Sequence, residues 1–322
     1  MARLADRLPE RLGWSSFFAD QLAADEAALS PARVDAVHRG RLTALTVAGQ
    51  IEITLPARDD TSQYAVGDWV LADPVTGALH RRLERKALLQ RPGEGRRPTQ
   101  LVAANIDTLF IVASCNADFN IARLERYLAF ANDAGTEPVI VLTKADTADD
   151  AAAFEQQAAA LQRDLPVVTL NARSADAVVA LSPWCGAGAT VALVGSSGVG
   201  KSTLVNTLVG VAWGERQLTG GVREADAKGR HTTTSRSLHA MQGGGWVIDT
   251  PGIRTLHLKD MAEGLDILFA EITELAPSCK FRNCTHDHEP GCAVRAAVAA
   301  GTLDPERLAR WRKLQTESGG GR

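Results

Sequence analysis

The sequence is short of several things, and each shortage narrows what the chain can be. Cysteine is scarce, 5 in 322 residues, and the opening MARLADRLPERLGW has no apolar core of the kind a secretion signal needs. A disulfide framework is therefore not expected, and a reducing cytoplasm is. Long apolar runs are also missing. The charge-free stretch from Val178 to Gly195 covers 18 residues, but Pro183, Gly186 and Gly188 break it and it runs into a Gly-rich loop, so no membrane span is expected. Net charge is slight, 35 basic against 38 acidic residues, which excludes a polycation that holds nucleic acid by bulk charge. Gly and Pro, 28 and 13, are too few for a collagen-like or wholly disordered chain. With 45% apolar and 23% charged residues, what remains is a globular protein of about two domains' length.

The charge is unevenly spread. Residues 31–100 carry 11 basic and 8 acidic groups, residues 101–180 carry 5 and 11, and residues 279–322 carry 8 and 5. Two mildly basic ends flank an acidic middle. Residues 1–32 are Ala-rich, with Leu and Phe at loosely helical spacing, and read as a helical or mobile extension. Residues 33–92 alternate polar and apolar positions through several short strands with Gly turns, the pattern of a small barrel, in which an SH3-like barrel and an OB-fold fit almost equally. The stretch GEGRRPTQ opens a mobile linker, placed at 93–104. From 105 the rhythm is strand, loop, helix. Apolar strands fall at Thr108–Ala113, Pro138–Leu142, Pro166–Leu170, Thr190–Val194 and Gly245–Asp249. Helices fall at Ile121–Asn132, Asp149–Arg163 and from Lys201 onward. This is an α/β unit with a parallel sheet covered on both faces, placed at 105–260. Residues 261–317 read as helical around a Cys/His cluster, and 318–322 as a disordered tail.

Gly195, Ser196, Ser197, Gly198, Val199, Gly200, Lys201 and Ser202 fit G-x-x-x-x-G-K-[ST] between an apolar strand and a helix-forming TLVNTLV. The glycines let backbone N–H groups turn around phosphate oxygens, and the helix N-terminus adds partial positive charge. Lys201 is placed at the terminal phosphates, Ser202 on Mg²⁺ and Thr203 at the α-phosphate. Asp249, ending a strand before Thr250-Pro251-Gly252, can hold the Mg²⁺ shell through water, and the Gly252 N–H can sense a γ-phosphate. Thr143, Lys144, Ala145 and Asp146 follow another apolar strand. A carboxylate there accepts from both guanine N1–H and the N2 amino group, a pair that adenine lacks. Asp146 is thus the expected guanine reader, with the Lys144 stem across the base. Ala172, in Leu170-Asn171-Ala172-Arg173, offers a backbone N–H toward guanine O6. The order is unusual: the guanine-reading segment precedes the phosphate loop, and the DTPG segment comes last. Ras-like GTPases run the other way. The same sheet can be built with the chain cut elsewhere, because the site depends on where strand ends lie in space.

Cys279, Cys284, His286 and Cys292 read C-x4-C-x-H-x5-C, three thiolates and an imidazole suited to a closed, structural Zn²⁺ site; His288 is the rival ligand. Cys115 and Cys185 read as packing residues. Arg81, Arg82, Arg85 and Lys86, with Arg96 and Arg97, and Arg307, Arg310, Arg312 and Lys313 at the other end are the candidate RNA contacts or simply a solvated surface. Trp69 is either a base-stacking platform or core.

Together VGDW (66–69), TKAD (143–146), GSSGVGKST (195–203), GRHTTT (229–234), DTPG (249–252) and CTHDHEPGC (284–292) resemble the ribosome small-subunit-dependent GTPase A family, the circularly permuted RsgA/YjeQ-type GTPases. The resemblance covers about residues 33–317. It implies an N-terminal OB-fold, a circularly permuted P-loop GTPase domain and a C-terminal helical zinc-binding domain. It also implies late maturation of the small (30S) ribosomal subunit, rRNA binding, and GTP hydrolysis to GDP stimulated by that particle. One departure is Thr143, where many GTPases carry Asn; Thr is expected to reach the phosphate loop less well. Ile253 stands where Ras-like proteins place a water-orienting Gln. His231 is then the candidate for positioning water, against a solvated loop or RNA-contacting histidine. One of Thr232, Thr233 and Thr234 completes the Mg²⁺ shell, with Thr233 favoured. The reading is a cytoplasmic, monomeric GTP hydrolase. A GTP-gated RNA-binding module and a small-molecule P-loop kinase are the alternatives.

Overall fold

A computed structural model describes residues 8–91, 93, 99–210, 237–249 and 261–319. The described residues begin with two helical turns, α1 (Leu8–Arg11) and α2 (Ser16–Ala19), and enter a barrel of β1 (Ser30–His38), β2 (Arg41–Thr46), β3 (Gly49–Ile53), β4 (Trp69–Ala72) and β5 (Leu79–Arg82). Antiparallel pairs run β1–β2, β2–β3, β1–β4 and β4–β5. A parallel bridge from Thr54 to Ala78 joins the third strand's end to the fifth's start. The path 1-2-3-5-4 thus closes on itself, which is the OB-fold order rather than the SH3-like one. Ala32, Val34, Leu42, Ala44, Ile53 and Val70 fill the barrel.

The N-terminal extension is not a loose arm in its described part. Phe18 is buried, Trp14 lies edge-on to Trp69 with ring centroids 4.8 Å apart, and Leu83 completes the cluster. Trp69, 1% exposed, is therefore core and not a stacking platform. Barrel structure begins at Ser30, three residues before the expected edge, because Ser30 to Arg33 already pair with Ala72 to Trp69 of β4. Arg33, fully buried, ties three parts together. It donates to the Leu12 carbonyl at 2.5 Å and to Thr190 Oγ1 at 2.7 Å, at the start of the strand that carries the phosphate loop. Burial lowers its pKa to about 10, an effect that the Asp107 carboxylate opposes.

β6 (Leu88–Arg91) pairs with β7 (Gln100–Ala104), so the far half of the expected linker is a strand; Val102, Ala103 and Ala104 are buried in it. The α/β unit follows: β8 (Thr108–Ser114), α3 (Ile121–Asp133), β9 (Glu137–Thr143), α4 (Ala151–Ala159), β10 (Val167–Thr169), α5 (Asp176–Ala180), β11 (Thr190–Val194), α6 (Lys201–Val209), β12 (Ser237–Ala240) and β13 (Trp246–Asp249). α4 is shorter than the expected 149–163: Asp150 caps its start, accepting from the Ala153 N–H at 3.0 Å. β8 is buried at every position, as a strand covered on both faces must be. Leu109 and Ile111 feed one apolar cluster, Phe110 and Val112 the other.

The spatial order is β10-β9-β8-β11-β13-β12, parallel except for β12 against β13, and the sheet continues through Ala36↔Ser237 into the barrel. Parallel pairing puts the carboxyl ends of β9, β10, β11 and β13 on one edge, where ligands of such sheets bind.

The chain ends in α7 (Ala262–Leu268), α8 (Ala270–Leu275), α9 (Ala293–Ala299) and α10 (Pro305–Glu317). Leu265, Phe269, Val294, Leu308 and Leu314 join the cluster that also holds Leu109, Leu124 and Leu128, so these helices share a core with the α3 face of the sheet. Ser318, expected in a disordered tail, is 5% exposed and caps α10 by donating to the Gln315 carbonyl.

Candidate nucleotide site and metal centre

The phosphate-loop segment leaves the central strand β11 and enters α6 at Lys201. Gly195 has φ +142°, and a Cβ there would sit 2.2 Å from the Val112 carbonyl, so glycine lets the loop press against β8. Val199 is 3% exposed and anchors the loop in the core, whereas Ser197, Gly198 and Ser202 face solvent and Ser196 and Thr203 are half-buried. The Lys201 ammonium donates to the Gly195 carbonyl at 2.8 Å, which folds it over the loop.

Three separate segments meet at Gly200. A Cβ built there would lie 3.6 Å from Thr143 Oγ1 and 3.8 Å from the Ala172 Cβ. Thr143 reaches the loop, contrary to expectation: its Oγ1 lies 2.6 Å from the Val199 carbonyl and 3.1 Å from that of Ala113. The shorter side chain suffices because the loop, free of a side chain at Gly195, lies close against the Val112 carbonyl of β8, next to Thr143. Lys144 adopts a left-handed conformation, φ 59°, and turns the chain so that Ala145 and Asp146 form a short turn at the sheet's edge, with Asp146 exposed. On the other side, Thr207 of α6 donates to the Ala172 carbonyl at 2.7 Å, fixing the Asn171–Arg173 loop beside the phosphate-loop helix.

Asp249 ends β13, half-buried. Burial raises its pKa above the usual carboxylate range, opposed by His239 and Lys201 nearby. The Lys201 and Asp249 charges thus act on one another at the loop's mouth. His239, on β12, bonds Ser237 Oγ of the same strand through Nε2 at 2.8 Å. His231, Thr232, Thr233, Thr234, Gly252 and Ile253 lie outside the described residues. One residue missed in the sequence is Arg123, at the start of α3, whose Nη1 donates to Ser196 Oγ at 2.5 Å. No motif marks it; a basic residue in a helix's first turn is the one irregularity that could have drawn attention.

The Cys/His cluster comes together as spaced. Ligand atoms of Cys279, Cys284, His286 and Cys292 all lie within 4.8 Å of one another. Cys279 Sγ and Cys292 Sγ are 3.9 Å apart, and His286 Nδ1 is 3.5 and 3.4 Å from them. A tetrahedral zinc with ~2.3 Å sulfur and ~2.0 Å nitrogen bonds would separate its ligands by ~3.5–3.8 Å. The set fits. The Ala293 N–H donates to Cys279 Sγ at 3.3 Å and the Arg295 N–H to Cys292 Sγ at 3.4 Å, which favours thiolates. Burial lowers the His286 pKa, keeping the ring a neutral ligand, and the ring packs 5.4 Å from Trp311. His288 points to solvent with a side chain 84% exposed. The Glu289 carboxylate gathers the Thr285 hydroxyl and the N–H groups of Thr285, Asp287 and His288, setting the turn between Cys284 and Cys292; these bonds hold its pKa well below the usual range. Cys115 and Cys185 are buried apart from the cluster, and burial pushes the Cys185 thiol up to about 12.

Several candidate RNA contacts are already paired. Arg81 binds Glu26 at 2.5 Å and Arg85 binds Asp68 at 2.6 Å. Arg307, 7% exposed, and Arg310 both reach the buried Glu125 at 2.9 Å. Arg312 bonds the His286 carbonyl. Arg96 and Arg97 lie outside the described residues.

A phosphate-loop strand at the centre, an acidic strand end on one side and a TKAD strand two places away on the other define a P-loop nucleotide-binding fold with a permuted chain order. The family model for the RsgA GTPase matches residues 82–259. Over 307 residues, 95% of this chain and 89% of the relative, the sequence is 67% identical to the small ribosomal subunit biogenesis GTPase RsgA of Mesorhizobium japonicum. It is 46% identical to the small ribosomal subunit biogenesis GTPase RsgA 2 of Vibrio vulnificus, covering 95% of this chain and 87% of that one. Among solved structures it is similar to YjeQ from Thermotoga maritima, with TM-score 0.66, 24% identity, and coverage of 91% of this chain and 100% of that one. It is also similar to YloQ, described as a circularly permuted GTPase, with TM-score 0.63, 24% identity, and coverage of 94% and 99%. The chain belongs to the RsgA GTPase family.

Proposed function

We propose that this protein hydrolyses GTP to GDP in the biogenesis of the small ribosomal subunit. The convergence of Thr143, Ala172 and Gly200 supports the reading, because it brings the TKAD loop, the Asn171–Arg173 loop and the GSSGVGKS loop to one edge of one sheet. The names of relatives as similar as 67% supply the cellular setting. Asp146 reads the guanine N1–H and N2 amino group, Lys144 covers the base, and the Ala145 and Ala172 backbones close its rim. Gly195 to Gly200 wrap the β-phosphate with backbone N–H groups, and Lys201 swings from its loop carbonyls onto the terminal phosphates. Thr203 holds the α-phosphate. Ser202, Asp249 and Thr233 are the residues to hold Mg²⁺, which when bound neutralises charge on the β- and γ-phosphates. Gly252 senses the γ-phosphate and His231 orients water; Ile253 in place of a polar side chain makes intrinsic turnover slow.

Cys279, Cys284, His286 and Cys292 would hold a Zn²⁺ in a closed, structural set. The subunit's rRNA is the partner, met by the barrel and the metal-centred end. The protein works as a monomer in the cytoplasm; among the described residues no helix is long and apolar enough to cross a membrane. The deciding experiment compares hydrolysis of GTP and ATP with and without purified small subunits. GTP turnover that rises steeply with subunits, and no ATP turnover, is expected. Equal use of both nucleotides, or indifference to subunits, overturns the reading.

A further inference from the structure

We infer that Arg123 is a positioning residue for the phosphate loop, acting through Ser196, and that the C-terminal helices hold it there. The inference rests on the guanine-nucleotide reading of the loop. Its observation is the 2.5 Å bond from Arg123 Nη1 to Ser196 Oγ, made across 73 residues of sequence by an exposed side chain. Ser196 is the second residue of the loop, directly after the glycine that presses on β8.

The place of Arg123 in its helix supports a purpose beyond packing. Asn120 caps α3 and accepts from the Arg123 N–H at 2.9 Å, and the first turn holds no acidic residue. A cation at the positive end of a helix is unfavourable in isolation. That cost is offset when an anion lies in front of both the helix terminus and the cation. The nucleotide phosphates, cradled by the loop that Arg123 touches, are that anion. A guanidinium carries five donors, so a bond to Ser196 leaves others for the same neighbourhood.

The helix itself cannot rotate to take Arg123 elsewhere. Two residues on, Glu125 is 0% exposed and its Oε1 accepts from Arg307 Nη1 and Arg310 Nε of α10. Further along, Gly264 of α7 lies so close that a Cβ there would stand 2.1 Å from the Ala129 carbonyl. On the sheet side Leu124 and Leu128 are buried. The C-terminal module thus fixes α3, and α3 presents Arg123 to the loop.

The test titrates a fluorescent GTP analogue into wild type, R123A, R123K, S196A and the R123A/S196A double variant, and measures subunit-stimulated kinetics on R123A. R123A is expected to weaken binding by about tenfold, the worth of one charge-assisted hydrogen bond. S196A should weaken binding in the same direction, and the double variant should bind no more weakly than the worse single one. R123K should recover most of the loss, and the kinetic loss should fall on KM rather than kcat. Wild-type affinity in R123A, multiplying losses in the double variant, or a loss confined to kcat overturns the inference while leaving the GTP reading intact. A wild-type protein that binds no guanine nucleotide removes the parent reading, and this one with it.

Discussion

Replacing Thr143 by valine isolates the link between the TKAD loop and the phosphate loop. Valine has the shape of threonine, so packing at this wholly buried site is kept, and only the hydroxyl is lost. That hydroxyl lies 2.6 Å from the Val199 carbonyl, the middle of the phosphate loop. Two effects follow. A buried carbonyl loses its donor, which costs about 1–3 kcal/mol. A methyl group cannot stand so close to an oxygen, and the loop must retreat by roughly 0.7–1 Å to the ordinary carbon–oxygen contact distance. Backbone N–H groups that wrap a phosphate do not tolerate that shift, so affinity for GTP should fall about tenfold to a hundredfold. The melting temperature without nucleotide should fall by about 2–10 °C. The assay is a titration with a fluorescent guanine nucleotide beside a thermal melt, with T143S, which keeps the hydroxyl, as the control. A T143V protein that binds and melts like wild type would refute the reasoning and return Thr143 to a purely local role.

Three more outcomes can be checked directly. Stripping metal with a strong chelator, or the change C279S, should lower the melting temperature and alter Trp311 emission, because His286 packs on that ring at 5.4 Å; unchanged melts and spectra contradict a structural zinc. The change D249N should stabilise the nucleotide-free protein near neutral pH while abolishing Mg²⁺-dependent hydrolysis. Burial raises the pKa of Asp249 on folding despite His239 and Lys201, so its charged form opposes folding, and stability at this site is recovered as pH falls through the raised value; a lower melting temperature for D249N contradicts it. F18A should cost about 3–5 kcal/mol in a denaturant melt, because Phe18 is 1% exposed against Trp69 and Leu83; a loss under ~1 kcal/mol would mean that the N-terminal turns leave the barrel freely.

The parts of this molecule that the sequence shows plainly are those fixed by neighbours in the chain. Strand Thr190–Val194, the glycines and Lys201 after it, and the thiols around Pro290-Gly291 carry their signal within fourteen residues, and the elements form where the pattern puts them. What the sequence hides depends on partners far along the chain. Arg81 and Arg85 look like nucleic-acid ligands until Glu26 and Asp68 are found against them. Arg307 reads as surface on α10 and is buried, because Glu125 waits on a helix 182 residues earlier. Trp69 follows a turn motif, and only the folding back of Trp14 and Phe18 makes it core. Thr143 looks too short to reach the phosphate loop because its reach depends on how closely that loop lies against β8 at Gly195, a distance that no local pattern encodes. The permuted order of the motifs was legible as an oddity; the strand order β9-β8-β11-β13 explains it, since a sheet edge is indifferent to where the chain was cut.

The most direct measurement of the central claim is the nucleotide preference of D146N. On the proposed reading, the wild-type Asp146 carboxylate accepts from both N1–H and the 2-amino group. An asparagine amide keeps one acceptor and gains a donor, which suits xanthine, whose 2-position is a carbonyl. The account predicts that D146N loses GTP binding by several orders of magnitude and gains XTP in its place, with phosphate contacts at Gly195–Lys201 unchanged. A D146N protein that still prefers GTP over XTP would mean that the TKAD segment does not read the base and that the two loops do not share one nucleotide.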